Sequence, residues 1–218
     1  MTRQAMPRTN SATETYAPPG GFRLLPGFLD AAQQRAMADA VMAVLDAAPL
    51  YHARMPKSGQ PMSVAMSNAG RLGWYSDKDG GYRYVAVHPE SGRPWPAIPD
   101  PVMAVWQAVV PDAPAPEACL INLYRGAAKM GLHQDRDEAD FSVPVVSISL
   151  GDDALFRLGG TTRKAPTRSF KLASGDVLVL GGEARLAFHG IDRVMAGTSR
   201  LIPGGGRINL TLRRVSQP

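Results

Sequence analysis

Cysteine is almost missing from this chain, with one in 218 residues, which excludes a disulfide scaffold or a Cys-based zinc ribbon. That scarcity suits a reducing compartment, and the expectation is a cytoplasmic protein. No apolar run approaches the ~18 residues that a membrane span needs. The first residues, MTRQAMPRTNSATETYAPPGG, lack the apolar stretch of a signal peptide. Acidic residues are outnumbered, 19 Asp+Glu against 24 Lys+Arg, for a net charge of +5. A basic surface steers polyanions, but many ordinary enzymes are equally basic, so charge alone names no partner. What is present is a 44% hydrophobic complement, enough for the core of one domain of ordinary size.

Residues 1–20 are polar, aperiodic and rich in Thr, Pro and Gly, the pattern of a flexible leader, so the domain is taken as 21–218. Asp30 is positioned to cap a helix running to about Ala48, with Met37, Val41, Val44 and Leu45 at three-to-four spacing. A second helix is predicted from Asp100 as cap and Pro101 as first helical residue, with Val102, Val105, Trp106 and Val109 on one face. Residues 51–99 show no sustained period and many Gly, Pro, Met and aromatic residues. They read either as a binding lid or as a surface hairpin packed down by Trp74 and Tyr84. After Pro116 the signal turns to β. Short apolar runs at 118–124, 144–150, 154–158, 169–172, 176–180, 185–189 and 207–215 are separated by Gly-rich turns. Helices followed by many short strands predict an α+β, mainly β fold: a sandwich, jelly roll or barrel.

Strand alternation sorts the polar residues. In the last strand Ile208, Leu210 and Leu212 face one way, while Arg207, Asn209, Thr211 and Arg213 face the other. The polar face is either a solvated edge or a barrel interior whose two guanidiniums clamp a dicarboxylate. Asn122 and Tyr124 likewise share one side of INLY. His133 and Asp135, at i and i+2, lie on one side of an extended segment, and His189 closes the distant run ARLAFH. Two His and a carboxylate are the ligand set of non-haem iron(II) sites with open positions. Zinc with a bound water is the competing metal for the same three residues.

The tract NLYRGAAKMGLHQDRDEADFSVPVVSISLG, then GDVLVLGGEARLAFHGI, then GGRINLTLRR, closely resembles the AlkB family of iron(II)- and 2-oxoglutarate-dependent nucleic-acid demethylases. The resemblance runs from about Gly21 to Arg213. It implies a double-stranded β-helix, or jelly roll, behind N-terminal supporting helices, with a nucleotide-recognition lid inside 51–99. It implies that His133, Asp135 and His189 ligate iron(II). Arg207 would pair with the distal carboxylate of 2-oxoglutarate, supported by Tyr124 and Asn209, while Arg213 and Asn122 would hold its iron-chelating end.

By the same resemblance Trp74 stacks on an extruded methylated base opposite His133, and Tyr82 binds the phosphate backbone, although YSDKDGGY is a residue longer than the family pattern. Asp137 would read the exocyclic amino group of the base; its plainer reading is a solvent-facing loop carboxylate. Arg163 would face nucleic acid, with Lys164, Arg168 and Lys171 extending the positive run. The implied activity is oxidative demethylation of 1-methyladenine and 3-methylcytosine in single-stranded DNA, with RNA as a second candidate. It would consume O2 and 2-oxoglutarate and release formaldehyde, succinate and CO2, in a monomer with no membrane partner. Two other classes stand beside it: a hydroxylase of a protein or small molecule with the same iron core, and a non-catalytic nucleic-acid binder.

Overall fold

In the computed structural model, which describes residues 17–217, the chain enters through strand β1 (Phe22–Leu25) and helix α1 (Ala31–Ala47). The leader expected over 1–20 falls mostly on residues 1–16, outside the described residues. Asp30 caps α1 as its sequence position predicts: its carboxylate accepts from the backbone of Ala32 and Gln33, and the Gln33 side chain returns a bond to the Asp30 N–H. Helix α2 (Asp100–Val109) begins one residue earlier than expected. Pro99, held in extended geometry, is the cap, and its carbonyl accepts from Val102 and Met103, so Asp100 is already helical.

Between the helices lie β2 (Ala65–Gly70), β3 (Gly73–Asp77) and β4 (Gly81–Val85). After α2 follow β5 (Ala118–Tyr124), β6 (Met130–His133), β7 (Val145–Gly151), β8 (Asp153–Leu158), β9 (Arg168–Leu172) and β10 (Val177–Leu180). The chain ends on β11 (His189–Met195) and β12 (Arg207–Arg213). One antiparallel sheet has the order β1-β10-β7-β12-β5-β2, a second the order β6-β11-β8-β9, and β3–β4 stands as a separate hairpin. Among the described residues no helix is long and apolar enough to cross a membrane.

Two differences from the sequence reading bear on the site. The strand expected over 185–189 is instead a 3-10 helix, Gly182–Leu186, and His189 opens β11 rather than closing a strand. RLAF alternates like a strand, but Gly182 at φ +52° turns the backbone, and Arg185 is drawn inward to partners distant in sequence. The stretch 51–99, read as holding a lid or a surface hairpin, also contributes to the core, because β2 pairs with β5 and completes the larger sheet.

The larger sheet is buried on both faces. Ile208, Leu210 and Leu212 of β12, each wholly buried, pack with Met37 and Val41 of α1 and Val102 and Trp106 of α2. Each such side chain contributes about 1.5–3 kcal/mol through removal from water. On the opposite face Leu120, Tyr124, Leu178 and Leu180 pack against Phe156, Leu158 and Ile191 of the smaller sheet. The polar half of β12 therefore points into the space between the sheets. Arg207, Asn209, Thr211 and Arg213 are 1–9% exposed, which removes the solvated-edge reading.

Candidate active site

Strand pairing brings the two imidazoles together. His133 on β6 lies directly opposite His189 on β11, with ring centroids 4.5 Å apart. Gly190 makes the approach possible, because a Cβ there would lie 2.5 Å from the Met130 carbonyl oxygen. Gly190→Ala is accordingly expected to spread β6 from β11 and cost about 1–3 kcal/mol, read as a lower melting temperature in thermal unfolding.

Asp135 follows two residues after His133, and its carboxylate faces both rings. Its Oδ1 is 3.7 Å from His133 Nε2 and its Oδ2 is 3.9 Å from His189 Nε2. One candidate ligand atom from each of the three residues falls within 4.8 Å of the others. Each ring is oriented from behind, His133 Nδ1–H donating to the Gly131 carbonyl at 2.9 Å and His189 Nδ1–H to the Ala187 carbonyl at 3.0 Å. Those bonds place both lone pairs on Nε2, facing the carboxylate.

The protonation states suit a cation. Burial alone would raise the Asp135 carboxyl, but Arg213 and the two imidazoles outweigh it and hold it well below the usual carboxylate range. Burial and the neighbouring His133 push His189 down to about 4, against the pull of Asp135. At neutral pH the pair is ionised carboxylate and neutral imidazole, so a metal displaces no proton from either. Asp135 Oδ2 has no hydrogen-bond partner although it is buried, an orphan that a divalent cation between the three residues would satisfy.

A second set of orphans lies along β12. Arg207 is 1% exposed, yet only its Nη2 is bonded, to Ser149 Oγ at 2.8 Å; Nε and Nη1 have no partner. The guanidinium lies 5.7 Å from the ring centre of Tyr124, its cross-strand neighbour. Burial pulls the guanidinium below its ordinary value, the signature of a cation lacking a counter-ion. A carboxylate matches those unpartnered nitrogens in charge and in hydrogen-bonding capacity. Asn209 sits beside Asn122 across the ladder and donates to Ser147 Oγ at 2.7 Å, while the Asn122 amide oxygen is buried without a partner. Arg213 stands apart from that group: its Nη2 already donates to Asp135 Oδ1 at 2.9 Å, and its Nε lies 3.4 Å from Glu138.

The base-pocket candidates converge on the loop after Asp135. Trp74 on β3 donates from Nε1 to Asp137 Oδ2 at 2.8 Å, and its ring stacks on Tyr82 of β4 with centroids 5.6 Å apart. Asp137 is exposed but partnered, and Tyr82 is 47% exposed. Arg163 leans over the rim, 3.4 Å from the Leu132 carbonyl and with its guanidinium over Phe188, the neighbours of His133 and His189 in sequence. Of the accompanying positive run, Lys171 pairs with Asp153 and Arg168 lies over Phe170, on the outward strand β9.

Several participants escaped the sequence reading. Ser147 and Ser149 share a face of β7 at i and i+2, a signal that alternation in VVSISLG contains. Glu138, Arg185 and Tyr84 carry no such mark, since their roles come from contacts 47 and 54 positions apart in the chain.

A fold of two facing antiparallel sheets with a His-Asp-His cluster and a buried arginine that keeps two nitrogens unpartnered is the arrangement of an iron(II)- and 2-oxoglutarate-dependent dioxygenase. The family model for the 2OG-Fe(II) oxygenase superfamily matches residues 21–213. An alpha-ketoglutarate-dependent dioxygenase AlkB homolog of Caulobacter vibrioides is 58% identical over 194 residues, 89% of this chain and 87% of that protein. The alpha-ketoglutarate-dependent dioxygenase AlkB of Escherichia coli is 44% identical over 164 residues, 73% of this chain and 74% of that one. The solved structure of OsALKBH1 superposes with a TM-score of 0.72 at 31% identity, covering 92% of this chain and 99% of that chain. The chain belongs to the AlkB family of 2OG-Fe(II) oxygenases, with iron(II), 2-oxoglutarate and O2 as its metal and co-substrates.

Proposed function

We propose that the chain demethylates N-alkylated bases such as 1-methyladenine and 3-methylcytosine in single-stranded DNA, with His133, Asp135 and His189 as the iron ligands. The observation that carries this reading is the bond from Trp74 to Asp137: an aromatic plane and an acid, joined at 2.8 Å, on the loop that also bears Asp135. A protein or small-molecule hydroxylase has no need of that pair, and a pure nucleic-acid binder has no need of the buried triad.

Iron(II), 2-oxoglutarate and O2 supply the oxidation when bound, converting the co-substrate to succinate and CO2 and the N-methyl group to formaldehyde. The chain supplies the rest. The Nε2 atoms of His133 and His189 and the free oxygen of Asp135 would hold the metal. Arg207, supported by Tyr124 and Asn209, would take the distal carboxylate; Asn122 and Arg213 would hold the other end. Trp74 offers its face to an extruded base, and Asp137 accepts from the exocyclic amine. Tyr82 and Arg163 at the rim meet the flanking phosphates. The methyl groups lie on the pairing edge, so the base must leave the stack, and a lesion that already blocks pairing lowers that cost.

The test is incubation with iron(II), 2-oxoglutarate, ascorbate and a single-stranded oligonucleotide bearing 3-methylcytosine, followed by mass spectrometry of the base. Conversion to cytosine, lost on chelation, is expected; an untouched base with succinate released on another substrate class would overturn the reading. In the same assay Trp74→Ala is expected to weaken oligonucleotide binding about 5- to 150-fold, the loss of one base–aromatic stack. Uncoupled turnover of 2-oxoglutarate should persist in that variant, and unchanged oligonucleotide affinity would remove Trp74 from the pocket.

A further inference from the structure

Glu138 lies three residues past Asp135 with its side chain 1% exposed. Its carboxylate is gripped from three elements. Arg185 of the 3-10 helix donates from Nη2 at 3.0 Å, Arg213 of β12 places Nε at 3.4 Å, and the Tyr84 hydroxyl of β4 donates to Oε1. The same two guanidiniums hold Asp135. Arg213 Nη2 donates to its Oδ1 at 2.9 Å, and Arg185 Nη1 donates to its backbone carbonyl at 2.7 Å. Glu138 is thus the shared counter-ion of both cations that orient Asp135, and two guanidiniums against two carboxylates leave the buried quartet neutral.

A second link runs to the hairpin. Tyr84 is the direct cross-strand partner of Trp74, so the two side chains leave the same face of β3–β4. Trp74 bonds Asp137 and Tyr84 bonds Glu138, consecutive residues of the loop that carries Asp135. One cross-strand pair therefore pins both the proposed base contact and the buried carboxylate behind the triad.

We propose that Glu138 is a positioning residue: through Arg213 and Arg185 it fixes the Asp135 carboxylate, and through Tyr84 it makes metal affinity depend on where the β3–β4 hairpin sits. The inference rests on His133, Asp135 and His189 being the metal ligands. Removing the Glu138 charge would leave an unbalanced positive charge beside a site for a divalent cation and would release both guanidiniums. Each effect weakens the metal without touching a ligand atom.

The experiment measures Mn(II) binding to the full chain by the electron paramagnetic resonance of free Mn(II), without turnover, in the wild type, Glu138→Gln, Tyr84→Phe and His133→Ala. Glu138→Gln is expected to raise the Mn(II) Kd about 10- to 100-fold, the usual effect of losing a partner behind a metal ligand. Tyr84→Phe leaves all four charges in place and is expected to raise it about 2- to 10-fold, the worth of one hydrogen bond. A merely structural role would lower the melting temperature of either variant and leave the Kd alone, and a Kd within about twofold of the wild type in both overturns the proposal. Should Glu138→Gln fail to fold, the Tyr84→Phe Kd decides. His133→Ala separates the two readings: wild-type binding that this variant retains overturns the metal assignment and the proposal together. Binding that it abolishes while Glu138→Gln keeps it overturns the proposal alone.

Discussion

Asp135→Asn is expected to lower dealkylation by more than about a thousandfold, the several kcal/mol that a correctly held metal supplies to such a reaction. The substitution is chosen for what it keeps. Arg213 Nη2, 5% exposed as a residue, needs an acceptor where Asp135 Oδ1 now lies, and the asparagine amide oxygen can serve. The amide nitrogen then occupies the position of Oδ2, which faces His189 Nε2 at 3.9 Å, and it has no lone pair to give a cation. The alanine variant would also lose turnover, but it strips a buried guanidinium of one of its two acidic partners, and breaking such a pair costs about 3–5 kcal/mol. Formaldehyde release with iron(II) in excess is the measurement, alongside unfolding to confirm that the asparagine variant holds its structure. Near-normal release would remove Asp135 from the metal site.

Arg207→Met separates function from stability in opposite directions. In the wild type two buried guanidinium nitrogens, Nε and Nη1, lack partners, which disfavours the folded state until an anion arrives. Methionine fills similar space without charge, so the variant without 2-oxoglutarate is expected to melt no lower than the wild type. The co-substrate requirement moves the other way. Two charge-assisted hydrogen bonds are worth about 1.5–3 kcal/mol each, so the concentration of 2-oxoglutarate for half-maximal turnover should rise at least about a hundredfold. Ligand linkage gives an independent readout: at a hundred times its Kd, 2-oxoglutarate stabilises a protein by about 2.7 kcal/mol, and that shift should vanish in the variant. An unchanged requirement would place the distal carboxylate elsewhere.

Much of this site was legible in the sequence because strand geometry is short-range. Period two in RINLTLR is enough to put Arg207, Asn209, Thr211 and Arg213 on one face, and the sheet register sets Tyr124 and Asn122 opposite Arg207 and Asn209. The capping box at Asp30 and Gln33 is likewise local. The failures had longer-range causes. The segment 185–189 alternates as a strand should, but the turn at Gly182 and the inward pull on Arg185 from Val143, Asp135 and Glu138 make it coil instead. Pro99 rather than Asp100 opens α2 because the Pro99 carbonyl accepts the first helical bonds, a matter of one residue that propensity does not resolve.

What the sequence determined by itself was the inventory: which side chains alternate, where helices begin, which His-x-Asp and distant His could share a cation, and the family the motifs resemble. What the tertiary structure alone decided was who is already occupied. Arg207 and Arg213 are equivalent by parity on β12, yet Arg207 keeps two nitrogens, Nε and Nη1, without partners, whereas Arg213 donates to Asp135 and lies in ion-pair range of Glu138, with only its Nε lacking a hydrogen bond. The physical reason is that burial makes every charge demand a partner, and that partner is set by which loops and strands the fold brings within bonding distance. Glu138, at the end of HQDRDE and looking like one more solvated acid, becomes a buried counter-ion only when Arg185, Arg213 and Tyr84 close around it.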